Sequence, residues 1–229
     1  MTALVAALVR RARRDGARPL LTYYDLAEGS RTELSGRTFA NWVDKTYHLL
    51  VDLEVEPGDV VAVPLATTHP GHWVTLAVVA GAWQAGAVVD PSPASDAVVS
   101  VVGPGSVGTD ASGTVLACSL HPLGFGFSEA LPPGVVDFTA EVRMRPDAHA
   151  EEPVDEGDPA WRDGTSVLSH ADLAAVPPTS SRVLVRPSTP LATLTGAYLS
   201  PLFGDGSAVV VVGDDEDAVA RIVREERVD

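Results

Sequence analysis

Lys45 is the only lysine among 16 basic residues. Any chemistry that needs a lysine, whether to hold a triphosphate or to form a Schiff base, must use that residue. The stretch "GPGSVG" (103–108) fits G-x-G-x-x-G and follows the apolar run "AVVSVV". A dinucleotide site needs a helix directly after the glycines, so that its N-terminus faces the pyrophosphate. The following "TDASGTVLA" is a poor helix, and Pro104 removes one backbone N–H from the cradle. The stretch therefore reads as a turn that ends a strand.

His69 and His72 stand three apart with Pro and Gly between them, and no acid or cysteine is near in sequence. Two histidines alone make a weak metal site, so they read as the turn that begins a helix at 72. His121, His149 and His170 are isolated. Ser106 and Ser112 lie outside any G-x-S-x-G elbow, so a hydrolase triad has no support. The one cysteine, Cys118 in "VLACSL", excludes an internal disulfide and reads as a small buried hydrophobe. The acids Asp214, Asp215, Glu216 and Asp217 precede Arg221, Arg224 and Arg227. That order suits the helix dipole better than a metal.

These residues need elements to carry them. "EVEPGDVVAVPL" (54–65) is a turn and an apolar run suited to a strand buried on both faces. "HWVTLAVVAGAWQAG" (72–86) is a helix whose Ala77, Gly81 and Ala85 share one face. Those small residues predict a close approach to a sheet, and Gly86 should end the helix left-handed. "AVVD" (87–90) completes a βαβ unit. Residues 182–229 repeat the rhythm: strand, helix with Thr189 as N-cap, Pro190 first and Gly204 past its end, strand, helix. The fold class is thus α/β, with mainly parallel strands near 60–64, 87–90, 98–102, 182–186 and 208–212. Helices are expected near 2–14, 36–52, 72–85, 169–175, 190–203 and 215–226. The middle, 91–164, is rich in Pro and Gly and holds an acidic stretch near 146–158 that reads as an exposed loop.

The 229 residues, 45% of them hydrophobic, suffice for one sizeable core or two small lobes. A formal net charge of −15 argues against a nucleic-acid partner. No apolar run is long enough for a membrane span. The opening "MTALVAALVRRARR" places its apolar residues before its charges, the reverse of a secretory signal, and reads as the amphipathic first helix of a cytoplasmic protein.

The order of these pieces resembles the N-terminal part of the adenylate-forming superfamily of acyl-CoA synthetases, peptide-synthetase adenylation domains and luciferases. "RRARRDGARPLLTYYD" is similar to its opening helix and first strand. "RTELSGRTFANWVDKTYHLL" and "VEPGDVVAVPL" through "AGAVVDP" are similar to its first lobe. "SHADLAAV" is similar to the segment after its phosphate loop, and 182–229 to the elements that follow. The similarity covers about 18–103 and 165–229. It implies one synthetase-like domain, with one lobe at about 18–145, the acidic loop at 146–158 and a second lobe at about 160–229.

The departures from the family matter as much. The family's loop resembles "TSGTTGxPKG", whereas this chain reads "DPAWRDGTSVLSH". Gly164, Thr165 and Ser166 are the remnant, with no lysine and with acids at 155, 156, 158 and 163. The aromatic-rich "PLFH" is replaced by "PSTP" (187–190), and the family's adenine, magnesium and lid motifs would all fall after residue 229. The resemblance thus implies the fold without the activity: a non-catalytic binding or interaction module with no cofactor and no metal. Two alternatives are an incomplete acid-ligase subunit completed by a partner chain, and a nucleotide-binding regulator using "GPGSVG". The small-molecule ligand is unspecified. Strands from "GTVLACSL" and "VVDFTAEVRM" are expected to cover part of an open sheet edge, and a remaining apolar patch is expected to support a homodimer.

Overall fold

The computed structural model describes residues 1–108, 111–164 and 166–229. Its strands are β1 (Pro19–Asp25), β2 (Ser30–Ser35), β3 (Val60–Ala62), β4 (Val88–Asp90), β5 (Ala97–Val102), β6 (Thr114–Ala117), β7 (Val135–Asp137), β8 (Pro159–Asp163), β9 (Ser166–Ser169), β10 (Arg182–Val185) and β11 (Ser207–Val212). Its helices are α1 (Ala3–Arg14), α2 (Gly36–Asp52), α3 (Leu65–Thr68), α4 (Trp73–Gln84), α5 (Phe138–Arg143), α6 (His170–Ala174), α7 (Pro190–Leu194), α8 (Ser200–Gly204) and α9 (Glu216–Glu225). Among the described residues, no helix is long and apolar enough to cross a membrane.

The strands form two sheets, in the orders β10-β11-β1-β2 and β7-β6-β5-β3-β4-β8-β9. All neighbours are parallel except the hairpins β1–β2 and β8–β9. The sheets cut across the two expected lobes. β1 and β2 join the late strands β10 and β11, while β8 and β9 join the early ones.

Alternation along β11 shows how the small sheet is covered. Ala208 and Val210 face the main core, whereas Val209 and Val211 pack on Val219 and Ile222 of α9. The middle segment supplies β6 and β7, which extend the large sheet beyond β5 and not the small sheet that holds β11, and "VVDFTAEVRM" is not one strand. It leaves β7 after Asp137, whose Oδ1 accepts from the N–H groups of Thr139 and Ala140 at 2.9 and 3.1 Å and so starts α5. The stretch 190–204 is helical through a π turn at Thr195–Leu199. The turn sits just before Pro201, which can donate no backbone hydrogen bond.

Two glycines behave differently from expectation. Asp205, not Gly204, takes the left-handed conformation after α8 (φ 61°). Gly204 is there for space: a Cβ would lie 2.2 Å from the Thr179 carbonyl oxygen. Gly86 does end α4 left-handed, at φ 74°. The small-residue face of α4 meets a helix at Gly81, not a sheet. A Cβ on Gly81 would lie 2.7 Å from Thr46 Cβ and Cγ2, and 3.2 Å from the Val43 carbonyl oxygen of α2. Every residue of α4 is buried, so this approach sets how the layer of helices sits on the large sheet.

Gly81→Leu must therefore push α2 off α4. The expected cost is about 1–3 kcal/mol of stability or more, measured by urea unfolding. Gly81→Ala should cost less, because alanine regains roughly 1 kcal/mol of helix propensity.

Candidate functional site

In the large sheet, β4 lies on one side of β3 and β5 on the other. This is a topological switch point, and in open α/β sheets ligands bind in the crevice at the carboxyl ends of the strands there. A cleft of about 470 Å³ opens at that place. One wall is the end of β1 with the β1–β2 turn, contributing Tyr23, Asp25 and Glu28. The second is His69 and His72, between α3 and α4. The third is the segment 119–128 that follows β6, with Leu120 and His121.

Each wall is fixed by hydrogen bonds. His72 caps α4, its Nδ1 accepting from the Val74 N–H at 3.2 Å. The ring proton of the neutral form then sits on Nε2. Burial, reinforced by His69, pushes the His72 pKa down to about 3, so the ring is neutral. Its edge meets the Tyr23 ring at 4.8 Å. Leu120 is held at φ 60°, a conformation unusual for a side-chain-bearing residue, on the cleft wall. His69 is also held below its ordinary pKa by burial, against the pull of Asp25 and Glu28.

Burial, followed by the nearby charge of Asp25, pushes the Tyr23 pKa well above the ordinary value. Asp25 Oδ1 also accepts from the N–H groups of Ala27 and Glu28, at 2.9 and 3.1 Å. Thr32 Oγ1 donates to the Pro122 carbonyl at 3.1 Å, joining β2 to the third wall. His121 Nδ1 accepts from the Leu123 N–H at 3.1 Å. Among the described residues lining the cleft, none is lysine or arginine.

Of the residues singled out from sequence, His69, His72, His121 and Pro104 line the cleft, whereas the phosphate-loop remnant lies elsewhere. Asp163 pairs with Ser166 across the β8–β9 hairpin. Gly164 has φ 58° with open space around it, Ser166 is exposed at the start of β9, and Thr165 lies outside the described residues. The hairpin tip shares the carboxyl edge of the sheet with the cleft but lies two to three strands from β3, roughly 10–14 Å at the usual strand spacing.

The arginine beside the hairpin tip is engaged. Arg162 Nε donates to Asp90 Oδ2 at 2.7 Å, and its two terminal nitrogens donate to the carboxylate of Asp96 at 2.8 and 2.6 Å. Lys45, on α2, is engaged as well: its Nζ donates to the Arg145 carbonyl and ties the segment after α5 to α2. A triphosphate needs several converging N–H groups and positive charge, and neither of these two cations is free to supply that charge.

The remaining candidates are structural. Pro104–Ser106 is a single 3₁₀ turn after β5. Cys118 is fully buried, and burial pushes its thiol pKa well up. Asp215 caps α9, accepting from the Ala218 N–H at 2.9 Å. His149 lies 2.9 Å from Asp44, while His170 is buried with no hydrogen-bond partner. Among the described residues no group of three or more His, Cys, Asp or Glu could hold a metal. Sequence reasoning passed over Tyr23, Asp25, Glu28 and Leu120. The one available signal was that His69 and His72 fall shortly after the strand read at 60–64, beyond the four residues of α3.

No family model matches the chain. A "TIGR03089 family protein" of Mycobacterium tuberculosis (strain H37Rv) is 40% identical over 147 residues, 59% of this chain and 57% of that protein. Among solved structures, an acyl-CoA synthetase of Brucella canis superposes on all of this chain and 46% of its own, with TM-score 0.80 and 19% identity. The N-terminal domain of FACL13 from M. tuberculosis gives TM-score 0.67 at 18% identity, over 100% of this chain and 62% of that one. MatB from Rhodopseudomonas palustris gives 0.69 at 18%, over 98% and 48%. The chain thus has the fold of an acyl-CoA synthetase N-terminal domain. It spans little more than half the length of the curated relative it matches.

The neutral His72 carries a pH prediction. The unfolded histidine takes up a proton near its ordinary pKa of about 6.5, whereas the folded one resists until about 3. Between those values the unfolded state binds more protons, so this group's contribution to stability falls as pH falls. His72→Asn keeps a capping side chain and removes that titration. The stability gap between wild type and variant, from urea unfolding at pH 7, 6, 5 and 4, should shrink steadily as the pH is lowered.

Proposed function

We propose that this chain is a ligand-binding lobe of the adenylate-forming type that does not itself activate a carboxylic acid, and that the switch-point cleft is its binding site. The observation that carries the reading is the tight β8–β9 hairpin, in which Asp163 pairs with Ser166. Attack of a carboxylate on an α-phosphate gathers negative charge that fixed donors must stabilise. Here Arg162 is saturated by Asp90 and Asp96, and Lys45 is spent on a backbone carbonyl.

A second reading treats the chain as one part of an acid ligase completed elsewhere. The solved synthetases extend well beyond the matched region, since this chain covers under half of two of them. A partner could bring motifs that lie later in such enzymes. It would not replace the loop that the β8–β9 turn displaces in this half, and so the binding reading is favoured.

ATP–pyrophosphate exchange with a panel of short, long and aromatic carboxylic acids should remain at background for the purified chain. Millimolar Mg-ATP should leave its melting temperature unchanged. Exchange above background that is lost in Gly164→Ala or Ser166→Ala would overturn the reading.

A further inference from the structure

We infer that the switch-point cleft selects a small organic cation, an ammonium or guanidinium group on a short apolar body, in preference to a carboxylate. The inference rests on the reading of this cleft as the binding site and adds the chemical class of its ligand. Its volume, about 470 Å³, lies within the roughly 300–1,000 Å³ range of small-molecule sites.

The cleft carries uncompensated charge. Asp25 and Glu28 face it, and no described lining residue is lysine or arginine. Asp25 is held in place by two turn N–H groups that converge on its Oδ1. Those neutral donors orient it without cancelling its charge. Among the described residues neither Asp25 nor Glu28 has an ion-pair partner, and the Glu28 side chain makes no hydrogen bond. The nearest arginine in sequence, Arg31, is committed to Glu33 and Glu226, at 2.6 and 2.9 Å. Histidines do not compensate either. His72 is neutral, with Nδ1 spent on the Val74 N–H, and His69 is biased to its neutral form.

A carboxylate entering this space would meet two like charges and no cation, whereas an ammonium would meet two acceptors, one of them already oriented. The neutral imidazole of His69, with one ring nitrogen 2.9 Å from Thr68 Oγ1, leaves its other nitrogen for a polar group on the ligand. A cleft lined by one sign of charge concentrates ions of the opposite sign, and the overall charge of −15 adds to the attraction.

The test is an amide NMR titration of the whole chain with two matched pairs, butylamine against butyrate and agmatine against hexanoate. Amine-dependent shifts should saturate at residues 25–32, 69–72 and 119–128. Glu28→Gln should weaken amine binding about two- to fivefold, as expected for a partly exposed ion pair. Asp25→Asn should weaken it further, and added salt should weaken binding to the wild type more than to either variant. Butyrate or hexanoate binding in the cleft as tightly as the amines would sink the cation inference and leave the cleft as a binding site. If no probe moves those amides, both the inference and the binding reading fail. Amine shifts scattered over the acidic surface, and indifferent to both variants, would also overturn it.

Discussion

Helix α4 is buried on every side, and a buried polar group that finds no partner costs free energy. The rest of the architecture follows from how its polar groups are met. The Thr75 hydroxyl donates to the His69 carbonyl at 2.8 Å, Trp83 Nε1 to the Ala160 carbonyl at 2.7 Å, and Gln84 Nε2 to Asp44 Oδ1 at 2.8 Å. Those bonds reach the cleft wall, the β8 strand and helix α2 in turn. His72 at its N-terminus lines the cleft together with Leu120. One helix thereby registers the sheet, the outer helix layer and the candidate site against each other. The close passage of Gly81 by Thr46 is what permits α2 to complete that enclosure.

Much of this was legible in the residues. The apolar runs at 60–64, 98–102 and 208–212 are buried parallel strands because such strands need hydrophobic residues on both faces. Thr189, Pro190 and Asp215 mark helix starts by their own chemistry. What stayed hidden depends on which segments meet. A small residue such as Gly81 announces a close approach without saying to what. Gly204 and Asp205 differ by one position because a distant segment, at Thr179, claims the space beside the glycine. The cleft was illegible for the same reason. Its residues come from three separate segments, and one of them, the β1–β2 turn, belongs to the other sheet, so no local pattern announces their meeting.

Acids line the cleft and neutralise Arg162 at the carboxyl edge of the large sheet. A fold fixes where a site is placed more firmly than what the site does, so the shared fold leaves the chemistry to be argued from these charges.

The segment after α5 has no regular structure and is nevertheless anchored. Its carbonyls at Arg145, Ala148 and Ala150 meet Lys45 Nζ, the His48 ring and Gln84 Nε2, and Tyr47 donates to the Glu152 carboxylate at 2.9 Å. The helices supply the donors and the segment mostly supplies acceptors. Among the described residues, the N–H groups from 147 to 151 find no protein acceptor. Deuterium exchange would register this stretch as open to solvent even while four side chains grip it. Its tethering would be visible only to a probe of side chains or of the carbonyls, such as isotope-edited infrared spectroscopy.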